Sequence, residues 1–131
     1  MCGPADFLRS ARSLIGTRYR LHGRDPRGVD CLGLVLLALR HTGRHLAEPA
    51  EYGLRNTTID HLLPWAGQAG FAQAKGAQCG DVLLVRVGPA QHHLAIRDGA
   101  QVIHAHAGLR RVVRQPALPD WRQVAIYRLA E

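Results

Sequence analysis

Aromatic residues make up only 5% of the 131-residue chain. That is too few for the stacking platform that single-stranded nucleic acid requires. Lysine is almost missing: of the 17 basic residues all are Arg except Lys75. The arginines are spread along the chain rather than gathered on one helix face. No helix-turn-helix, zinc-finger or RNA-recognition signature is present. The formal charge of +7 therefore reads as an arginine-biased solvated surface, and no nucleic-acid partner is expected. Long apolar runs are absent. The longest, Cys31 to Leu39, falls well short of the ~20 residues of a membrane span, so no membrane partner is expected. Asp6, Arg9 and Arg12 interrupt the N-terminus before a signal-peptide core could form. Synthesis in the cytoplasm without a signal peptide is expected. Cysteine is scarce and odd in number: Cys2, Cys31 and Cys79, with no CxxC pair. This argues against a disulfide framework and for a single reactive thiol.

What is present is a 47% hydrophobic chain of one domain's length, read as a single domain over residues 1–131. Residues 4–15 have helical spacing through Phe7, Leu8, Ala11, Leu14 and Ile15, with Pro4 in the first turn and Gly16 as the stop. Residues 17–29 read as a loop carrying Arg18, Arg20, Arg24 and Arg27. Asp30 is a good N-cap, and Cys31 to His41 reads as a helix apolar on nearly every face, hence central and buried. Residues 44–56 read as loop. Asn56 or Thr57 can cap a short helix through Leu63, which Pro64 ends or kinks. Residues 65–80 read as a connector. Strands follow at Asp81–Val87, His92–Arg97, Gln101–Ala107, Arg110–Arg114 and Gln123–Leu129. Helices followed by a run of strands predict an α+β fold, with the helices packed on an antiparallel sheet of about five strands.

Two elements carry chemistry. Asp30-Cys31 places a thiol in the first turn of a buried helix, where free backbone N–H groups and the helix dipole favour a thiolate nucleophile. Histidines flank Asp98-Gly99, a strong signal for a two-residue hairpin loop. With that loop, His93 faces His104 directly across the ladder. A Cys on a helix terminus with two His on one sheet face has the logic of a nucleophile, a base and an orienting group. Zinc bound by His104, His106 and a third ligand is a competing reading. A zinc hydrolase also needs a general base, however, and the only glutamates, Glu48, Glu51 and Glu131, lie far from these strands. An N-terminal Cys2 nucleophile, exposed by removal of Met1, is a third reading.

These residues resemble the NlpC family of papain-like cell-wall peptidases. The matching pieces are Gly16-Thr17-Arg18-Tyr19, Asp30-Cys31-Leu32-Gly33-Leu34, Gly80-Asp81-Val82-Leu83-Leu84, His93-Leu94-Ala95-Ile96 and Val102-Ile103-His104-Ala105. Their order and spacing follow the family over the whole chain. The resemblance implies a papain-like fold with Cys31 as nucleophile at the N-terminus of the central helix, His93 as base and His104 as orienting residue. It implies hydrolysis of amide bonds in peptidoglycan stem peptides, commonly the D-γ-glutamyl–diaminopimelate bond, without a cofactor or metal. It also implies a role beside the nucleophile for Tyr19 and a structural or substrate-facing role for Asp30. Leu32 replaces the usual Ser, removing a hydroxyl that can help bind the stem peptide. The Cys-Leu-Gly-Leu variant looks like the phage and gene-transfer-agent tail branch, which implies tail-hub partners and action at the wall of the target cell. A tail or wall-binding module with a vestigial triad is the alternative from another class. Arg18, Arg20 and Arg24, with Arg27, are expected to line or rim the substrate groove, where Arg binds carboxylates in bidentate fashion.

Overall fold

The computed structural model describes residues 4–44, 62–89 and 91–130. Among the described residues three helices, α1 (Ala5–Ser13), α2 (Cys31–Arg40) and α3 (Leu62–Gln68), precede most of the sheet. A two-stranded hairpin, β1 (Arg24–Asp25) with β2 (Gly28–Val29), interrupts them. The main sheet comprises β3 (Phe71–Gln73), β4 (Val82–Gly88), β5 (Gln91–Asp98), β6 (Gln101–His106), β7 (Arg111–Pro116) and β8 (Arg122–Leu129). Its order is β3-β8-β4-β5-β6-β7, antiparallel throughout. The α+β reading therefore stands, with a sixth strand in the segment expected to be a connector. None of the described helices is long and apolar enough to cross a membrane.

Helix α2 is central because its sequence leaves it no solvent face. Every residue from Cys31 to Leu39 is buried, and only Arg40 reaches water. Each enclosed Leu or Val contributes roughly 1.5–3 kcal/mol of transfer free energy. The helix packs on Phe7, Leu8 and Ala11 of α1 and on the Leu94, Ile96, Ile103 and Ala105 face of the sheet. The opposite face carries a second, smaller core of Leu83, Val85, Ala95, Val102 and Ile126. Alternation along β5 and β6 sends successive side chains to the two cores.

Three expectations need correction. Pro64 does not end a helix; it lies in the first turn of α3, where its missing N–H costs nothing. The proposed cap at Asn56 or Thr57 lies outside the described residues. The β5–β6 register pairs Asp98 with Gln101 and Ile96 with Ile103, so the two-residue loop is Gly99-Ala100 rather than Asp98-Gly99. Gly99 takes φ +61 at the first loop position, as a type II′ turn requires. Asp98 is drawn into the strand because its buried carboxylate accepts hydrogen bonds from Arg12 Nε and Nη2, at 3.1 and 2.7 Å, and from Arg114 Nε at 2.8 Å. These arginines hold the Asp98 carboxyl below its usual range. They also tie α1 and β7 to the hairpin. Finally, Cys31 is a free thiol but Cys79 is disulfide-bonded. Spacing along the chain cannot show which cysteines a fold brings together.

Candidate active site

The shifted register changes how the histidines meet. The ladder between β5 and β6 is confined to the turn end, residues 96–98 with 101–103. Beyond it β5 stays paired with β4, while β6 stays paired with β7 as far as His106 and Arg111. The sheet is thus parted at one end, and α2 packs against both β5 and β6. His93 and His104 are not directly opposed. They meet diagonally, with His93 Nε2 2.9 Å from His104 Nδ1 and their rings nearly perpendicular.

A cleft of about 540 Å³ opens here. Its walls include Cys31 from α2, His92 and His93 from β5, His104 and His106 from β6, and Tyr19, Leu21, His22 and Asp30 from the segment before α2. Asp30 builds the Cys31 corner. One carboxylate oxygen accepts the Gly33 N–H at 2.8 Å and caps the helix. The other accepts the His22 N–H at 2.9 Å, holding the wall segment against the helix end. Gly33 is required by that wall: a Cβ there would lie 1.8 Å from the Gly23 carbonyl oxygen.

The thiol is enclosed, with Cys31 only 6% exposed. Burial pushes it up to about 12, and the Asp30 charge adds to the rise; the backbone N–H groups of Leu94, Leu32 and Cys31 oppose it without prevailing. The expectation that the helix terminus favours a thiolate is therefore corrected: desolvation outweighs the helix terminus. His93 moves the other way. Burial, and then the neighbouring His104 and His106, push its imidazole down to about 3. Burial also lowers His104, partly offset by its hydrogen bond to Gln115. The thiol and the imidazole that share this cleft are both neutral at rest.

Tyr19 and Asp30 stand in the cleft wall, but Arg18, Arg20 and Arg24 do not line it. Tyr19, Leu21 and His22 supply this part of the wall. The backbone of Arg18 forms an antiparallel bridge with Arg111, the Arg20 stem lies over Gly28, and Arg24 is in β1, its carbonyl accepting from Arg40. Arg27 pairs with Asp25. Two site residues lie outside every motif read from the sequence. Trp121 packs edge-on against His93 and His104, with ring centres 5.5 and 5.0 Å away. Gln115 Oε1 is 3.0 Å from His104 Nε2. Only tertiary pairing reveals them. Both ring nitrogens of His104 are thus engaged, and among the described residues no three His, Cys, Asp or Glu side chains are grouped to hold a metal ion.

The NlpC/P60 family model matches residues 16–128, a span that includes this whole cleft. The chain belongs to the NlpC/P60 family. Among curated proteins it is similar to the murein DD-endopeptidase MepS/murein LD-carboxypeptidase of Escherichia coli K12, with 26% identity over 109 residues, 82% of this chain and 52% of that protein. The chain spans about half the length of the curated relatives it matches. Among solved structures, the NlpC/p60 domain of the peptidoglycan hydrolase SagA superposes with a TM-score of 0.64 at 24% identity, covering 97% of each chain. The peptidoglycan hydrolase RipB of Mycobacterium tuberculosis gives a TM-score of 0.64 at 21% identity, over 96% of this chain and 64% of that one. NlpC2 of Trichomonas vaginalis gives 0.69 at 19%, over 98% and 48%. These structural likenesses establish the NlpC/P60 fold.

Proposed function

We propose that this chain, as a single domain over residues 1–131, hydrolyses amide bonds in peptidoglycan stem peptides, with Cys31 as nucleophile, His93 as base and His104 orienting His93. The observation that carries the reading is the enclosed Cys31 thiol sharing one cleft with a hydrogen-bonded His93–His104 pair. Because thiol and imidazole are both neutral at rest, proton transfer accompanies attack rather than preceding it. The sulfur bonds to the carbonyl carbon as its proton passes to His93. The carbonyl oxygen gains the negative charge, and the Cys31 backbone N–H, in the first turn of α2, stabilises it. On collapse the C–N bond breaks and His93 protonates the departing amine. Water then attacks the thioester, giving its proton to His93, and the acid leaves as Cys31 regains its proton.

The relatives named as murein and peptidoglycan hydrolases support this substrate class. Within it, we assign a D-γ-glutamyl–diaminopimelate type of bond, with Tyr19 and Asp30 shaping the pocket beside the thiol. We further propose that the domain is carried in a phage or gene-transfer-agent tail, made in the cytoplasm, docked to tail-hub proteins and active at the target cell wall; Leu32 in the Cys-Leu-Gly-Leu motif is the feature behind that assignment. Clearing of purified sacculi by the wild type, lost in both Cys31→Ala and His93→Ala while the thermal unfolding profile persists, is the expected result. Sacculus binding without clearing by the wild type would instead indicate a wall-binding module.

A further inference from the structure

The hydrogen-bond chain behind His93 has a direction. His104 uses both ring nitrogens: Nδ1 meets His93 Nε2 at 2.9 Å, and Nε2 meets Gln115 Oε1 at 3.0 Å. A carbonyl oxygen accepts and never donates, so the His104 proton is on Nε2. A neutral imidazole has one N–H, which leaves His104 Nδ1 as an acceptor. His93 must then donate through Nε2, and its Nδ1 is left bare. The opposite amide orientation would reverse every link. A Gln115 amine donating to His104 Nε2 would put the His104 proton on Nδ1, and His93 Nδ1 would carry the proton it needs to be without.

The surroundings hold this chain in place. Gln115 faces Val102 in the β6–β7 ladder, which sets its side chain diagonally beside His104 on the same sheet face. Trp121 lies edge-on against both imidazoles and shields them. His104 itself is 3% exposed. Burial keeps both imidazoles neutral, the condition under which one proton position dictates the next.

We propose that Gln115 is a positioning residue that, through His104, selects the His93 tautomer with Nδ1 free to take the Cys31 proton. The proposal rests on the catalytic reading of Cys31 and His93 given above. It is tested by ¹⁵N-edited NMR of the imidazole tautomers in the wild type, Gln115→Glu and Gln115→Leu, alongside turnover of a soluble stem-peptide fragment. Both rings of the wild type are expected as Nε2–H tautomers. Gln115→Glu, which can only accept in its ionised form, is expected to keep them and to retain turnover. Gln115→Leu is expected to release the His93 tautomer and to lower kcat roughly tenfold or more with KM unchanged, since a mis-set tautomer disables such a base. An Nδ1–H tautomer of His93 in the wild type, or unchanged tautomers and kcat in Gln115→Leu, overturns the proposal. The wild-type tautomers are read without substrate, so a Cys31→Ala variant that still hydrolyses peptide would overturn the catalytic reading separately.

Discussion

Replacing Gly33 by Ala tests how the helix that carries Cys31 is capped. An exposed helix-interior Gly→Ala change is ordinarily stabilising by up to ~1 kcal/mol. At Gly33 the added methyl would lie 1.8 Å from the Gly23 carbonyl oxygen, 3.0 Å from its carbon and 3.2 Å from Asp30 Oδ1. The Gly23 segment must retreat by roughly 1.5 Å to reach van der Waals contact. It is held there by the Gly23 N–H to Arg20 O bond at 2.8 Å, the Asp30 N–H to Gly23 O bond at 3.3 Å and the His22 N–H to Asp30 bond. Overpacking costs about 1–3 kcal/mol, and each disrupted hydrogen bond about 1 kcal/mol. Set against the helix-propensity gain, the net loss is about 2–3 kcal/mol, lowering Tm by roughly 10 °C in a domain of this size. Gly67, in α3, is the control. Nothing lies within 4 Å of a Cβ there, so Gly67→Ala is expected to raise Tm by a few degrees at most. Thermal unfolding followed by circular dichroism reads both. A Gly33→Ala protein as stable as wild type would refute the packing argument, as would equal losses at the two sites.

Three further expectations follow from the site. Iodoacetamide should alkylate Cys31 slowly at neutral pH, with a rate still rising above the ~8.5 of an ordinary thiol, because burial pushes the thiol up to about 12; a rate that levels off below that pH contradicts this. His93 protonates near 3 when folded and near ~6.5 when unfolded. Its contribution to stability is therefore complete above ~6.5 and is lost as pH falls through about 3, which urea midpoints across that window will register more steeply in the wild type than in His93→Gln, where the lowered His104 still contributes. Arg20→Ala and Arg24→Ala should leave KM for a stem-peptide fragment unchanged, since neither side chain lines the cleft; a several-fold rise in KM would return them to the substrate groove.

Much of this architecture is legible in the chain because the signals are local. Cys31 to Leu39 has no polar face, so its burial follows from composition alone, and Asp30 caps it in the expected way. The strands after Asp81 are bounded by their own turn residues. Phe71–Gln73 is too short to show a period and becomes a strand only by pairing with β8. Asp-Gly chemistry alone misplaces the loop, because it ignores the pull of Arg12 and Arg114 on Asp98. The two histidines still share a face, since moving the loop by one residue moves the register by two and preserves the side. The helix terminus favours a thiolate at Cys31, but the enclosure that the folded chain supplies outweighs it. Gln115 and Trp121 belong to no local pattern: each reaches the histidines from a strand, or the turn before one, distant in sequence.

Mass spectrometry of muropeptides after digestion of purified sacculi tests the central claim most directly. The wild type should release fragments in which one stem-peptide amide has been hydrolysed, leaving a new carboxylate and a new amine with the glycan intact, and Cys31→Ala should release none. Glycan cleavage, or the same peptide fragments from Cys31→Ala, would contradict the account.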